Sequence, residues 1–500
     1  MWGDNLTAAI GLVFQFDVLL AIVLAAVYGL FVGAIPGLSA TMAVALLVPV
    51  TFFMDPVPAI AMMVTSTGMA IFSGDIPGCL LRIPGTPSSA AYTEEAYAMT
   101  KKGQSDLALG VGLVCSAIGG MMGTFALILV APLLAEFALN FSSYEYFWLV
   151  LLGLTCAIFI GGSRPLKGFI SLLVGLAITT VGIENPGGYP RFTFGQQDLI
   201  SGYSLIPLMV GMFAVSEVLR FAIKNLNQAV EIKAQVGNIF HGTLRTVFKY
   251  PKSVMRGSLV GTLVGALPGA GADIGAYIAY GLSKKFSKTP EKFGTGHPEG
   301  IVEASSANNA GLSGAWIPAL VFGIPGDSIT AIVIGVLYMK GLNPGPTIFT
   351  NNAASMYAIF LVFILANILL IPLGFGAIKL AKQVLRIPQK VLMPIILLFC
   401  AVGSYSISNN IFDVWAMLLF GVIAYLMEEN DYPLAPAILG VILGSMLEVN
   451  FVNSVIKAEG QWIDFVNRPV AGSLAAITMV IWFAPAIIKR VRKKSAFVRN

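Results

Sequence analysis

Two short motifs rich in proline and glycine each occur twice in this chain. The first reads Gly-Ala-Ile-Pro-Gly-Leu-Ser-Ala-Thr at residues 33–41 and Gly-Ala-Leu-Pro-Gly-Ala-Gly-Ala-Asp at residues 265–273. The second reads Ile-Pro-Gly-Thr-Pro-Ser-Ser at residues 83–89 and Ile-Pro-Gly-Asp-Ser-Ile-Thr at residues 324–330. Each copy breaks an apolar segment, because proline and glycine interrupt helices. Paired breaks in the two halves of an apolar chain are typical of two structural repeats that build one binding site together.

The composition places these breaks in a membrane. Hydrophobic residues make up 57% of the 500 residues and charged residues only 11%. Soluble domains carry roughly 25% charged residues, so the repeated apolar runs predict an all-α polytopic membrane protein. The net charge of +5 lies in loops and in the tail, which fits membrane orientation and gives no reason to expect nucleic-acid binding. The sequence contains no Gly-Lys-Ser/Thr of a nucleotide-binding P-loop.

The charges of the loops predict how the two halves are oriented. Lysine and arginine mark cytoplasmic loops, and many of them lie in a linker at residues 223–256 and a tail at residues 489–500. We therefore expect a first membrane repeat at residues 1–222 and a second at residues 257–488, with the linker and the tail in the cytoplasm. Three equivalent loops of the two halves carry opposite charge patterns, which predicts two inverted-topology repeats.

Apolar segments in each half are candidate membrane spans. In order along the chain they are residues 17–34, 59–78, 108–135, 146–162, 166–183, 204–222, 295–320, 353–378, 391–403, 411–427, 433–447 and 470–488. The stretch 257–283 is too short for two full spans of roughly 20 residues each. We expect it to be a re-entrant hairpin that turns at Pro268-Gly269-Ala270-Gly271, with a counterpart at residues 29–51 that turns at Pro36-Gly37.

The broken segments predict a site for an anion. A helix that begins after Pro-Gly presents free N–H groups and the positive end of its dipole, which together bind a carboxylate or a phosphate. Asparagine amides before the second motif of the second half add further donors and acceptors. The residues expected to bind substrate are Pro36, Gly37, Ser39, Thr41, Gly85, Ser88, Ser89, Gly269, Gly271, Asn308, Asn309 and Gly326. Two alternatives stay open: the hydroxyls bond their own backbone, and the asparagines bridge helices.

The second half carries acids where the first half has hydroxyls. Asp273 stands at the position of Thr41, and Asp327 stands at the position of Thr86. An acid beside unwound backbone carbonyls suits Na⁺ or a proton. Asp273, Asp327 and Ser328 are therefore candidates to hold a coupling cation, and the alternative is that both aspartates are helix N-caps. Asp75 is a further acid expected at membrane depth.

The same motifs, together with Glu303-Ala-Ser-Ser-Ala-Asn-Asn-Ala and Gly323-Ile-Pro-Gly-Asp, resemble the large membrane subunit of tripartite tricarboxylate transporters, the TctA family. The resemblance covers essentially the whole chain. It implies secondary active uptake of tricarboxylates or related, citrate-like carboxylates across a bacterial inner membrane, driven by an ion gradient. We expect Na⁺ as the coupling ion, with H⁺ as the alternative, and no other cofactor.

The resemblance also implies two protein partners, a small membrane subunit of about four helices and a periplasmic solute-binding protein. The repeats would form an elevator-like transporter in which one block moves against a scaffold. Other readings stay open: a proton-coupled transporter of dicarboxylates or aromatic carboxylates, a channel, or a membrane enzyme. An enzyme would need clustered titratable groups, and the few acids and two histidines argue against one.

Overall fold

The computed structural model describes residues 2–36, 38–160, 165–183, 186–224, 239–240, 242–269, 271–385 and 389–482. Within these ranges the chain is helical, and its β pairing is a single antiparallel bridge between Gly182 and Arg191. The predicted all-α fold is thereby confirmed. Eight of the described helices are long and apolar enough to cross a membrane, at Phe16–Ala34, Pro56–Leu81, Ser105–Ala138, Leu205–Ile223, Ala353–Ala381, Lys390–Ser408, Ile411–Glu429 and Leu434–Ala458.

The first part of the chain holds eleven described α-helices. They are α1 (Trp2–Val13), α2 (Phe16–Ala34), α3 (Ala40–Phe52), α4 (Pro56–Ser73), α5 (Asp75–Leu81), α6 (Thr93–Lys101), α7 (Ser105–Ala138), α8 (Ser143–Ile160), α9 (Pro165–Thr179), α10 (Leu205–Val210) and α11 (Ser216–Lys224). Short 3₁₀ turns lie at Ser89–Ala91 and Gln197–Leu199, and a π-helical turn at Gly211–Val215 joins α10 to α11.

The second part continues with helices of similar lengths. They are α12 (Thr243–Lys249), α13 (Pro251–Gly265), α14 (Gly271–Phe286), α15 (Pro298–Phe322), α16 (Ser328–Met339), α17 (Ile348–Asn351), α18 (Ala353–Val384), α19 (Gln389–Ser408), α20 (Ile411–Glu429), α21 (Leu434–Ala458) and α22 (Asp464–Asn467). A 3₁₀ turn lies at Pro290–Lys292, and a last apolar helix, α23, is described from Pro469 to Trp482. The helix that contains the predicted span 433–447 is longer than that span, since α21 stays helical to Ala458.

The helices form two compact units, and each unit draws on both halves of the sequence. The first unit comprises Met1–Glu136 and Ser204–Glu429, and it contains both copies of both motifs. The second unit comprises Phe137–Tyr203 and Asn430–Asn500. Within the second unit, Arg191 pairs with Glu448 through two hydrogen bonds of 2.7 and 2.8 Å. The predicted tail at 489–500 and most of the predicted linker at 223–256 lie outside the described residues.

Glycines let two pairs of helices in the first unit approach to backbone contact, and the pattern repeats in the two halves. On α2, a Cβ at Gly29 or Gly33 would overlap the carbonyl oxygen of Ser66 or Ala70 on α4. On α13, a Cβ at Gly261 or Gly265 would overlap the carbonyl oxygen of Ala307 or Gly311 on α15. Because Gly33 and Gly265 begin the two copies of the first motif, the pairs α2–α4 and α13–α15 occupy corresponding places.

The helix that precedes the second motif also ends in the same way in both halves. Arg82 after α5 and Gly323 after α15 are left-handed, with φ of 62° and 68°. The N–H of Arg82 donates to Gly78, and the next N–H, of Ile83, donates to Pro77. Gly323 donates to Ala319, and Ile324 donates to Pro318. The bond from each left-handed residue to the carbonyl four residues before it is the αL arrangement that closes a helix C-terminus, so the two copies share one local structure.

Candidate functional site

Three of the four motif copies meet in the first unit. The backbone N–H of Ser88 in the first half donates to Oδ1 of Asp273 in the second half, at 3.1 Å. Gly271 lies against Asp327, because a Cβ at Gly271 would come within 2.8 Å of the Asp327 Cβ. Gly271 has a φ of +61°, a conformation that glycine adopts at little cost. The residues Ser88, Gly271, Asp273 and Asp327 therefore form one cluster, which we call the mouth.

The two aspartates of the mouth differ in their structural roles. Asp327 is the N-cap of α16, and its Oδ1 accepts from the backbone N–H of Thr330 at 2.7 Å in a capping box. The expectation that this acid could be an N-cap is therefore confirmed for Asp327. Asp273 lies in the first turn of α14 and is exposed. The carboxylates of Asp273 and Asp327 repel one another, an arrangement that a bound cation would relieve.

The hydroxyl groups of the first half are largely engaged in local bonds. Ser39 caps α3 by accepting from the N–H of Met42 at 3.1 Å. Ser89 donates to the Thr86 carbonyl at 2.8 Å, and the Thr86 and Ser88 hydroxyls lie 3.1 Å apart. These bonds fix the shape of the loop 83–89, and Ser88 and Ser89 are each only 1% exposed.

The other residues predicted for substrate binding lie in or near the turns. Pro36 follows α2, Thr41 is half-buried in α3, and Ser328 begins α16. Gly269 has a φ of +79°, and it lies in the turn between α13 and α14, where the sequence predicted it. Gly37, and Ala270 of the predicted turn, lie outside the described residues.

The second-motif glycines fill equivalent positions against the first motif. A Cβ at Gly85 would come within 2.8 Å of the Gly33 carbonyl oxygen and 2.7 Å of the Gly74 Cα. A Cβ at Gly326 would come within 2.6 Å of the Gly265 carbonyl oxygen and 2.8 Å of the Ala315 Cα. Both positions are therefore sites of close backbone packing between the two motifs of one half.

A second polar cluster, which we call the inner network, is buried. The hydroxyl of Tyr92 donates to Oδ1 of Asp75 at 2.6 Å, and Nδ2 of Asn308 donates to that hydroxyl at 3.2 Å. Ser305 reaches the other carboxylate oxygen of Asp75 at 3.5 Å. Asp75, Tyr92 and Asn308 are 7%, 2% and 0% exposed. The loop that carries Ser88 to the mouth continues directly to Tyr92, which stands outside both sequence motifs.

Asn309 lies apart from the inner network. It lines a cavity of about 10 Å³ together with Ser313 and Asn367, and its side-chain oxygen accepts no hydrogen bond from the described residues. A cavity of this volume is near the smallest that holds one water molecule. The structure therefore gives Asn308 and Asn309 different surroundings, although they are neighbours in sequence.

Glu95 on α6 is a buried acceptor that holds the loop before α15. Its carboxylate accepts from the backbone N–H groups of Gly294, Gly296 and His297, the last two at 2.7 and 2.8 Å. The hydroxyl of Tyr280 adds a bond of 2.9 Å, and Glu95 is 0% exposed. The sequence offered no pattern for this contact, because donors and acceptor lie far apart in the chain. The contact fixes the N-terminus of the helix that carries Asn308.

Replacing Glu95 by alanine is expected to lower the free energy of unfolding by about 3 kcal/mol or more, since each bond to a charged acceptor contributes about 1.5–3 kcal/mol. Glu94→Ala is the matched control, because Glu94 pairs with Arg82 at the surface and exposed pairs contribute about 0–1 kcal/mol. Thermal melting of the two purified variants checks the difference. Equal melting temperatures would show that the buried bonds do not stabilise the fold.

Comparison with known proteins supports the family resemblance that the motifs indicate, along almost the whole chain. A model of the family described as "Tripartite tricarboxylate transporter TctA family" matches residues 19–439. An Agrobacterium vitis protein described as an "Uncharacterized 52.8 kDa protein in TAR-I ttuC' 3'region" is 34% identical over 475 residues, 94% of each chain. A second A. vitis protein, from the "TAR-II ttuC' 3'region", is 35% identical over 218 residues, 44% of this chain and 90% of that protein. No solved structure matches. With both motifs in place and the match spanning both halves, the chain belongs to the TctA family, the large subunits of tripartite tricarboxylate transporters.

Proposed function

We propose that this chain is the permease subunit through which a bacterium takes up tricarboxylates or related carboxylates, driven by an ion gradient. Membership of a transporter family supports the transport class. The observation that carries the proposal further is the mouth, where loops from both halves meet beside a pair of acids. Such convergence of broken helices is how many secondary transporters form their substrate and ion sites.

In this proposal the mouth binds the carboxylate and its coupling cation together. A cation near Asp273, Asp327 and Ser328 would relieve the repulsion between the two carboxylates, and its charge would favour a substrate anion beside it. The N-terminus of α16, which begins beside Asp327, would present N–H groups and a positive dipole end toward such an anion. Na⁺ is the proposed ion, because carboxylate and hydroxyl oxygens are hard ligands, and H⁺ is the alternative.

The proposed transport cycle is elevator-like. The glycine contacts that recur on α2–α4 and α13–α15 support two structural repeats, and the opposite loop charges of the two halves support their inversion in the membrane. The hairpins α2–α3 and α13–α14 would then enter from opposite sides and move the mouth as one block. The chain would lie in the inner membrane, with the linker at 223–256 and the C-terminal tail in the cytoplasm.

Two further proteins complete the proposed system. A periplasmic solute-binding protein would capture the carboxylate and deliver it to the mouth, and a small membrane subunit of about four helices would accompany this chain. Most of the choice among carboxylates would then be made by the binding protein, so the mouth would need to recognise little more than the carboxylate groups.

Uptake of labelled citrate and related carboxylates into proteoliposomes tests the proposal. The vesicles contain this chain with its small subunit, and the binding protein is added outside under an inward Na⁺ or H⁺ gradient. We expect saturable accumulation above the external concentration. Dissipation of a substrate gradient without accumulation would indicate a channel, chemical conversion of the carboxylate would indicate an enzyme, and the absence of accumulation under both gradients would refute the proposal.

A further inference from the structure

Asp75 is a buried carboxylate without a basic partner. It begins α5, directly after Gly74 interrupts the helical segment that α4 starts. Its contacts are the hydroxyls of Tyr92 and Ser305, and no lysine, arginine or histidine in the described part of the chain forms an ion pair with it. An unpaired charge costs several kcal/mol in the interior, so a bound positive charge would stabilise this arrangement.

The hydroxyl of Tyr92 determines how the amide of Asn308 is turned. A phenol has one proton to donate, and at 2.6 Å that proton goes to the Asp75 carboxylate. The hydroxyl can therefore only accept from Asn308, and Nδ2 of the amide faces it at 3.2 Å. The amide oxygen of Asn308 therefore receives no hydrogen bond from the Tyr92 hydroxyl.

The side-chain oxygen of Asn308 accepts no hydrogen bond from any described group, although the residue is 0% exposed. Buried oxygens normally have a partner, and either a donor or a cation can be that partner. Asn308 is not among the residues that line the small cavity at Asn309. The amide that carries this oxygen is joined to the inner network through Nδ2, and the network supplies carboxylate and hydroxyl oxygens besides.

We infer that the inner network is a Na⁺ site, with Asp75 and Asn308 as ligands and Tyr92 and Ser305 holding them in position. A hard monovalent cation takes oxygen ligands, balances the charge of Asp75 and uses the free oxygen of Asn308. The site is separate from Asp273 and Asp327 at the mouth. Its role in coupling rests on the proposed function, but its occupancy by Na⁺ does not.

Melting temperatures of the purified chain in detergent test the site without transport. The starting variant is Asp273→Asn with Asp327→Asn, which removes both charges of the mouth and keeps their hydrogen-bond acceptors. We expect NaCl to raise its melting temperature relative to KCl at equal ionic strength, because a ligand that binds the folded state stabilises it. Adding Asp75→Asn should abolish the Na⁺-specific rise, and adding Asn308→Ala or Tyr92→Phe should raise the required Na⁺ concentration at least tenfold.

The outcomes separate this site from its alternatives. If the starting variant, without any further substitution, shows no Na⁺-specific rise in melting temperature, all Na⁺ binding lies at the mouth and the inference is overturned. A response to pH that depends on Asp75, with no response to Na⁺, would make the site a proton site and also overturn it. If Asp75→Asn does not fold, unchanged Na⁺ dependence in both the Asn308→Ala and Tyr92→Phe variants would refute the site. Na⁺ binding with these dependences but Na⁺-independent uptake would leave the site in place and refute the proposed coupling.

Discussion

Replacing Gly261 by leucine is expected to eliminate folded protein, and replacing it by alanine is expected to weaken the fold measurably. A Cβ at this position overlaps the backbone carbonyl of Ala307, which a side-chain rotation cannot move. Overpacking costs about 1–3 kcal/mol, and leucine adds three further carbons to a fold whose whole stability is about 5–15 kcal/mol. The alanine variant should therefore melt at a lower temperature, and the leucine variant should aggregate.

Gly281 provides the matched control for Gly261. It lies on the exposed side of α14, and a Cβ there would meet no atom within 4 Å. Gly281→Ala should raise stability by about 0.4–1 kcal/mol, because alanine restricts the unfolded chain, and Gly281→Leu should fold. Fluorescence-detected size-exclusion chromatography and thermal melting compare the four variants. Equal losses at both positions would contradict the close contact between α13 and α15.

The second large effect is expected on transport. Asp273→Asn and Asp327→Asn should each raise the Na⁺ concentration for half-maximal uptake at least tenfold, which corresponds to about 1.4 kcal/mol of lost cation binding. Asparagine can still accept from the N–H of Ser88 or Thr330, and it is as good an N-cap as aspartate. The fold should therefore be retained while the charge is lost.

Glu94→Gln controls for the loss of a carboxylate elsewhere, because Glu94 and its partner Arg82 are 60% and 55% exposed. Its uptake should show the Na⁺ dependence of the unchanged protein. Uptake by the Asp273 and Asp327 variants with unaltered Na⁺ dependence and normal protein levels would remove these residues from the proposed cation site.

The sequence predicted the features that depend on local chemistry. Prolines and glycines marked the turn between α13 and α14, where Gly269 and Gly271 have positive φ, and the preference of aspartate for N-caps anticipated Asp327. Apolar runs located the long helices. The apolar run of α21 ends near residue 447, but the helix continues through polar residues such as Glu448 and Asn450 to Ala458. Local pattern thus sufficed where neighbours in sequence determine the structure.

Contacts between the two halves could not be predicted in the same way. Tyr92 meets Asn308, and Glu95 meets the loop at residues 294–297, across large separations in sequence. A single sequence does not show which distant positions pair, and neither Tyr92 nor Glu95 stands in a motif. Asp75 was noticed as an acid in an apolar segment, but its partners became visible only in the folded chain.

The most direct measurement of the central claim is the flux of labelled Na⁺ in the reconstituted system. The claim is that carboxylate and cation cross the membrane together through this chain, so that net carboxylate entry carries cation with it. We predict that adding carboxylate with its binding protein increases Na⁺ entry into the proteoliposomes, and that removing either protein partner abolishes the increase. Carboxylate accumulation that proceeds equally without Na⁺, together with Na⁺ entry that carboxylate does not change, would contradict the account.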